Sequence, residues 1–387
     1  MRAKDYSYLI VLLALAAPAP ASADDGGRLL TIDHYVHVKS TAPAIMGQDA
    51  QIYVREKVLA STLARGGPPA NRIALFVHGA GTPGEVAFDV PYKDYSWMAY
   101  LARAGFDVFA MDMTGYGRST RPAVMNDPCN FGKEQQAQFV GNVLKAACAP
   151  SYDKPISTMS SDWNDVGAVV DDIRAQRHTD KIALLGWSQG GPRAAGYTAR
   201  NPDKVSRLAV LAPAYSRDMP LDGPTALPTI AAPMNSQSQS DFVANWDRQV
   251  GCPEQYEASA SRAVWSGMIA SDSVGATWGS GVRRAPQVPT WGFNKAVAAK
   301  ITVPFLMISG QHDKQVAPQR VRDLFADLGS KDKVFIDLAC SSHNAMWEKN
   351  HQLLFEASLE WLRDGTVQSR TNSELKLGYQ KAQEGTP

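Results

Sequence analysis

Residues Leu184 to Pro192 read LLGWSQGGP, and the fold turns on whether Ser188 is a reactive serine or a small polar residue in a glycine turn. The apolar run KIALLG precedes it and the helix-like PRAAGYTARNP follows, which places Ser188 where a strand turns sharply into a helix. A nucleophile on such a turn takes positive φ, and the positions two before and two after it must carry almost no side chain. Gly186 and Gly190 meet that need.

Other short apolar runs share the character of KIALLG: Ile73 to Val77, Val108 to Met111, Leu208 to Leu211, Phe305 to Ile308 and Val334 to Leu338. They are continuous rather than alternating, as strands covered on both faces are. Arg28 to Val38 and Gln51 to Leu59 precede them, the second alternating like a half-exposed antiparallel strand. Helical period appears over Asp94 to Arg103, over Asp162 to Arg177 behind the N-cap candidates Ser160 and Ser161, and over Pro318 to Leu328 and Trp347 to Leu362. The alternation predicts an α/β fold, a doubly wound, mostly parallel sheet of about eight strands with an antiparallel entry.

Two intervals break the rhythm. Residues 121–159 are rich in Pro, Asn, Gln and Cys, with a possible short helix near Gln135 to Lys145; residues 216–300 hold Trp246, Trp265, Trp278 and Trp291. Insertions of this length are usually lids or binding elements. The second is expected to be a cap over the carboxyl edge of the sheet, enclosing an apolar, aromatic pocket, and the first its neighbour. The core is then 24–215 with 301–363, and 364–387 is a polar, frayed tail.

Ligands bind at the carboxyl ends of the strands in such a sheet. A serine there needs a base to take its proton and an acid to hold the base in one tautomer. Of seven histidines, His343 follows the last strand, on the edge that carries Ser188. Asp313 closes the preceding strand in GQHD, 30 residues earlier, with Asp218 as the alternative acid. Backbone N–H groups of Ala80, in HGAG after another strand, and of Gln189, at the helix start, are the candidate oxyanion donors. His78 is read as bracing that loop. Asp112 is read as bracing the turn with Gly115 and Gly117.

The 387 residues, with a formal net charge of +1, give no basic surplus for nucleic acid. Residues 1–23 read as a signal peptide: Arg2 and Lys4, the apolar run Leu9 to Ala17, and the small residues Ala21-Ser22-Ala23. The rest holds no run long enough for a stable membrane anchor. In a periplasmic or secreted location Cys129, Cys148, Cys252 and Cys340 read as disulfide candidates; Cys129 and Cys148 lie close together in one insertion and are the favoured pair, which leaves Cys252 with Cys340. No Cys/His spacing suits a metal, and no cofactor motif is present.

In order along the chain, HGAG, DMTGYGRS, GWSQGG, GQHD and a histidine after the last strand resemble the α/β-hydrolase fold superfamily, from about Arg28 to Arg363. DMTGYGRS is similar to the DxxGxGxS segment of its capped, esterase-like branch. The resemblance implies Ser188 as nucleophile, Asp313 as acid, His343 as base, and Ala80 and Gln189 as oxyanion donors. Haloalkane dehalogenases and epoxide hydrolases of that branch use aspartate where this chain has Ser188. The expectation is therefore an exported serine hydrolase cleaving an ester or lactone of a bulky, partly apolar small molecule, with Trp187 and Met346 lining the pocket. An amidase or aminopeptidase, a carbon–carbon bond hydrolase and a non-catalytic binding protein are the alternatives.

Overall fold

The computed structural model describes residues 27–221 and 223–379. The expected signal peptide lies outside the described residues. β1 (Leu29–Lys39) and β2 (Asp49–Leu59) form the antiparallel entry, and β2 runs antiparallel to β4 (Asp107–Met111). From β4 the sheet is parallel through β3 (Ile73–Val77), β5 (Ile182–Trp187), β6 (Val205–Leu211), β9 (Phe305–Gly310) and β10 (Lys333–Leu338). β11 (Ser373–Leu377) pairs in parallel with β10 and makes a ninth strand in the order β1-β2-β4-β3-β5-β6-β9-β10-β11.

That ninth strand corrects the expectation of a frayed tail. Its residues read SELKL and alternate between half-buried and exposed, the pattern of an edge strand, and its backbone hydrogen bonds compensate for scant apolar burial.

The continuous apolar runs are explained by two cores, one on each face of the sheet. On β3, Ala74 and Phe76 join one cluster with Phe88, Trp97 and Trp361, while Ile73, Leu75 and Val77 join the other with Trp163, Val166 and Leu184. Helix Met159–Arg177 starts three residues earlier than expected. Thr158 is its N-cap, and Ser161, one of the expected caps, is the reciprocal partner of a capping box. The last long helix covers His351–Asp364, with a separate 3-10 turn at Ala345–Trp347 before it.

The interval 216–300 contains a two-stranded ribbon, β7 (Met234–Gln237) and β8 (Arg283–Pro286), and helices Gln239–Asp247 and Ala258–Ala270. Among the described residues it has no hydrophobic cluster of its own. Phe242, Trp246 and Trp265 pack into the cluster that holds Trp187 and Trp347, and Phe293, Val297 and Ala298 into the other. Trp278 and Met234 share a small cluster with Phe131 and Phe139 of the earlier insertion. That insertion is closed by a Cys129–Cys148 disulfide and contains a four-residue helix, Lys133–Gln136, shorter than expected.

Candidate active site

β5 ends at Trp187, and Ser188 follows at φ 55°. This left-handed conformation is costly for a residue with a Cβ, and the backbone around it holds it in place. The Ser188 N–H donates to Leu211 O (2.9 Å), and Ser188 O accepts from the N–H groups of Gly191 (2.9 Å) and Ala214 (3.0 Å). Close approach explains two glycines. A Cβ at Gly190 would run into the carbonyl of Val77, and one at Gly79 would lie 2.8 Å from Ser188 Cβ.

β9 and β10 are adjacent and parallel, so the turns leaving them emerge side by side. Asp313 stands in the first turn and His343 in the second, with Asp313 Oδ2 2.9 Å from His343 Nδ1. The other oxygen, Oδ1, accepts from the N–H groups of Gln315 (2.8 Å) and Val316 (2.9 Å). An ionised carboxylate so oriented puts the imidazole proton on Nδ1 and leaves Nε2 as an acceptor. Nε2 has no partner among the described residues, and His343 lines the same two cavities as Ser188. Trp187 Nε1 donates to His343 O (2.8 Å) and fixes the turn from below.

Ala80 and Gln189 line the larger of these cavities, of about 460 Å³, with Ser188. Among the described residues neither backbone N–H has an acceptor. Gln189 caps the start of helix Gly190–Arg200, where backbone N–H groups point outward.

The Ala80 turn is braced from beneath. Met113 N–H donates to His78 Nε2 (3.0 Å), so the ring proton is on Nδ1, 2.7 Å from Gly79 O. Burial holds the His78 pKa well below its ordinary value, and the nearby Arg193 charge adds to the effect. His78 is thus a neutral strut. Arg193, itself fully buried, donates from Nη1 to the carbonyls of His78 (2.9 Å) and Gly79 (3.2 Å) and from Nε to Asp162 (2.6 Å). Asp112 accepts from the N–H groups of Gly84 (2.7 Å) and Arg118 (2.9 Å), the bracing role expected of it, with its pKa raised to about 6 by burial.

Asp218 is exposed and makes no contact with His343. Met346 is fully buried in the core; it is the neighbouring Trp347 that reaches a Ser188 cavity, one of about 110 Å³, together with Trp187. The tryptophans of the 216–300 interval also depart from expectation. Trp246, Trp265 and Trp278 are buried in packing, and Trp291 lines a different hollow beside Trp163. The larger Ser188 cavity is lined instead by Ala214, Ile230, Asn235, Gln315, Val316 and the segment Pro286 to Thr290.

Three polar residues with no local signature in the sequence hold the His343 turn. Glu348, with no exposed surface, accepts from Ser342 N–H (2.6 Å), Ser342 Oγ (2.5 Å), Trp246 Nε1 (2.7 Å) and Gln255 Nε2 (3.1 Å). Gln255 Nε2 also donates to Gln249 O (3.2 Å), and Gln249 Oε1 accepts, at 3.4 Å each, from the N–H groups of His343 and Lys314. A Cys252–Cys340 disulfide joins the same two segments three residues before His343, so both expected cysteine pairs form.

A family model described as serine aminopeptidase, S33 (Hydrolase_4), matches residues 75–350. The 1-acylglycerol-3-phosphate O-acyltransferase ABHD5 of Sus scrofa is 29% identical over 106 residues, 27% of this chain and 22% of that protein, so the match spans about a fifth of its length. Among solved structures, the serine hydrolase CCSP0084 from the polyaromatic hydrocarbon-degrading bacterium Cycloclasticus zankles superposes with a TM-score of 0.50 at 13% identity, over 86% of this chain and 99% of that one. An esterase from Thermogutta terrifontis gives 0.49 at 16%, over 85% and 98%. The family match includes Ala80, Ser188, Asp313 and His343 alike, and the chain belongs to the serine aminopeptidase S33 family, as a serine hydrolase of the α/β-hydrolase fold.

Proposed function

We propose that the protein is an exported hydrolase of carboxylic esters or lactones, acting through an acyl-enzyme on Ser188. The observation that carries this reading is the His343–Asp313 pair at 2.9 Å, whose unpartnered Nε2 borders the cavity of Ser188 and of two N–H groups without acceptors. His343 Nε2 takes the Ser188 proton as Oγ bonds to the substrate carbonyl carbon, and the carbonyl oxygen becomes an oxyanion held by Ala80 and Gln189 N–H. The tetrahedral adduct collapses, the ester C–O bond breaks, and the imidazolium gives its proton to the departing alcohol. Water then attacks the acyl carbon with His343 again as base, releasing the acid and restoring Ser188.

An ester is favoured over a peptide N-terminus by charge. An aminopeptidase needs carboxylates to hold the substrate ammonium, yet among the described residues no acid lines either Ser188 cavity. Five acids of the 216–300 interval have structural partners: Asp241 with Ser238, Asp247 with Tyr256, Glu254 with Lys349, Glu257 with Lys93 and Asp272 with Arg284. Export is supported by the N-terminal sequence and the two disulfides.

The test is fluorophosphonate labelling alongside turnover of p-nitrophenyl esters, lactones and aminoacyl anilides. Labelling that Ser188→Ala abolishes, with ester or lactone turnover exceeding anilide turnover, is expected. Anilide turnover without ester turnover overturns the ester assignment, and absence of labelling overturns the nucleophile.

A further inference from the structure

Arg283, on β8, is among the described residues the one arginine that lines a Ser188 cavity, and its guanidinium is only partly used by the fold. It lies against the turn after Ala80, where a Cβ at Gly81 would collide with the guanidinium. Its Nε donates to Gln237 Oε1 (3.0 Å) on β7, a neutral partner. Among the described residues, Nη1 and Nη2 have no acceptor, and no carboxylate lies within ion-pair distance of the guanidinium.

The adjacent arginine is the contrast. Arg284 Nε and Nη2 lie on the Asp272 carboxylate, and Nη1 donates to Met125 O and Asn126 Oδ1. All three nitrogens of the Arg284 guanidinium are thus engaged by the fold, as a buried charge favours. Burial of Arg283 weighs against its charge and lowers its pKa to about 10, so it stays cationic at neutral pH. Around it, the smaller Ser188 cavity contains Gln237, Asn245, Gln315 and Asn344, all neutral amides, and no acid. The guanidinium also borders a wider outer cavity of about 560 Å³, where Glu134, Asp241 and Arg248 stand beyond ion-pair distance from it.

We infer that Arg283 is a specificity residue that binds a carboxylate of the substrate, so that the preferred esters carry a negative charge near the scissile bond. The inference rests on the ester-hydrolase reading of Ser188. A planar fork with two unengaged Nη groups matches a carboxylate in two-point contact, the strongest form of such pairing. The outer opening admits the charged end, and the cavity walled by Ile230, Val288 and Val316 takes the uncharged end.

The experiment compares matched ester pairs: p-nitrophenyl hemiglutarate against p-nitrophenyl pentanoate, with the charge on the acyl side, and 4-acetoxybenzoate against phenyl acetate, with the charge on the alcohol side. In at least one pair the wild type is expected to favour the anion by tenfold or more in kcat/KM. In Arg283→Met the loss on that anion is expected to exceed the loss on its neutral partner by about 10- to 100-fold, carried mainly by KM. Arg283→Lys is expected to restore part of the preference. Gln237→Glu, which supplies an internal carboxylate beside Arg283, is expected to remove it while leaving the arginine in place. No anion preference in either pair, or equal losses on anion and neutral ester in Arg283→Met, overturns the inference. Fluorophosphonate labelling of each variant reads the Ser188 chemistry separately. For a protein that turns over no ester, calorimetry with glutarate decides: binding by the wild type that Arg283→Met loses supports the anion site, and its absence from the wild type overturns it.

Discussion

Removing the two disulfides one at a time separates a covalent link that closes a long loop from one that closes a short loop. Cys252–Cys340 spans 88 residues and Cys129–Cys148 spans 19. If a cross-link stabilises by restricting the unfolded chain, the loop-entropy relation gives about 4.6 kcal/mol for the first and about 3.2 kcal/mol for the second near room temperature. The measurement is urea unfolding of Cys252→Ala/Cys340→Ala and Cys129→Ala/Cys148→Ala, each against the wild type, under non-reducing conditions. The long link should cost more by about 1.4 kcal/mol. Activity below the unfolding range should fall only modestly in the first variant, because Glu348 still holds Ser342 by two hydrogen bonds and Gln255 and Trp246 still reach Glu348. A larger loss from the Cys129–Cys148 deletion refutes the loop-entropy reasoning. Abolished activity in a Cys252→Ala/Cys340→Ala protein that remains folded refutes the claim that the polar cluster suffices to place His343.

Asp313→Asn leaves a side chain of the same size but favours the wrong imidazole tautomer, and kcat for an ester should drop about 10³- to 10⁴-fold with KM little changed. Glu348→Gln keeps one acceptor and presents an amide N–H to Ser342 N–H, so unfolding free energy should fall by about 1–3 kcal/mol, with a drop in kcat that Glu348→Ala deepens. Asp165 is buried, accepts from Thr114 N–H and has its pKa raised from 3.8 to about 7, chiefly by desolvation and then by the neighbouring Asp162. A raised carboxyl pKa supports the fold below the ordinary value and loses that support as pH rises from about 4 to about 7. Asp165→Asn should therefore flatten stability over that interval and leave the variant relatively more stable at pH 8, as thermal unfolding across pH would read.

The central strands were legible because they are covered on both faces, which forces an unbroken apolar run; IALFV is β3 residue for residue. The Asp313–His343 pairing was legible because the fold brings the turns after its parallel strands together, and Asp313 and His343 each follow a strand by a few residues. β11 was not, since an edge strand with a half-polar face needs its neighbour before its pattern means anything. Glu348 was not, because a single acid in AMWEKN has no local signature, and its four donors come from three places in the chain.

The tryptophans of the inserted segment misled for a related reason. Composition records that large aromatic rings are present but not which side of the segment they face. Trp246 stacks on Tyr256, packs beside Trp347 and spends its N–H on Glu348, so its burial builds the joint between the insertion and the His343 turn. Among the described residues, Phe242 of the insertion joins Trp187 and Trp347 in lining the smaller Ser188 cavity, and the rest of the surface toward Ser188 is mainly amides, prolines, aliphatics and one under-partnered guanidinium. On the proposed ester-hydrolase reading, discrimination among substrates then depends on the sign of a charge as well as on apolar bulk. An apolar pocket distinguishes one methylene by a modest factor, whereas a site built around an unpaired polar group rejects ligands that leave it unpaired much more strongly. The same insertion thus holds His343 in place through its buried side and selects substrate through Arg283 on the other.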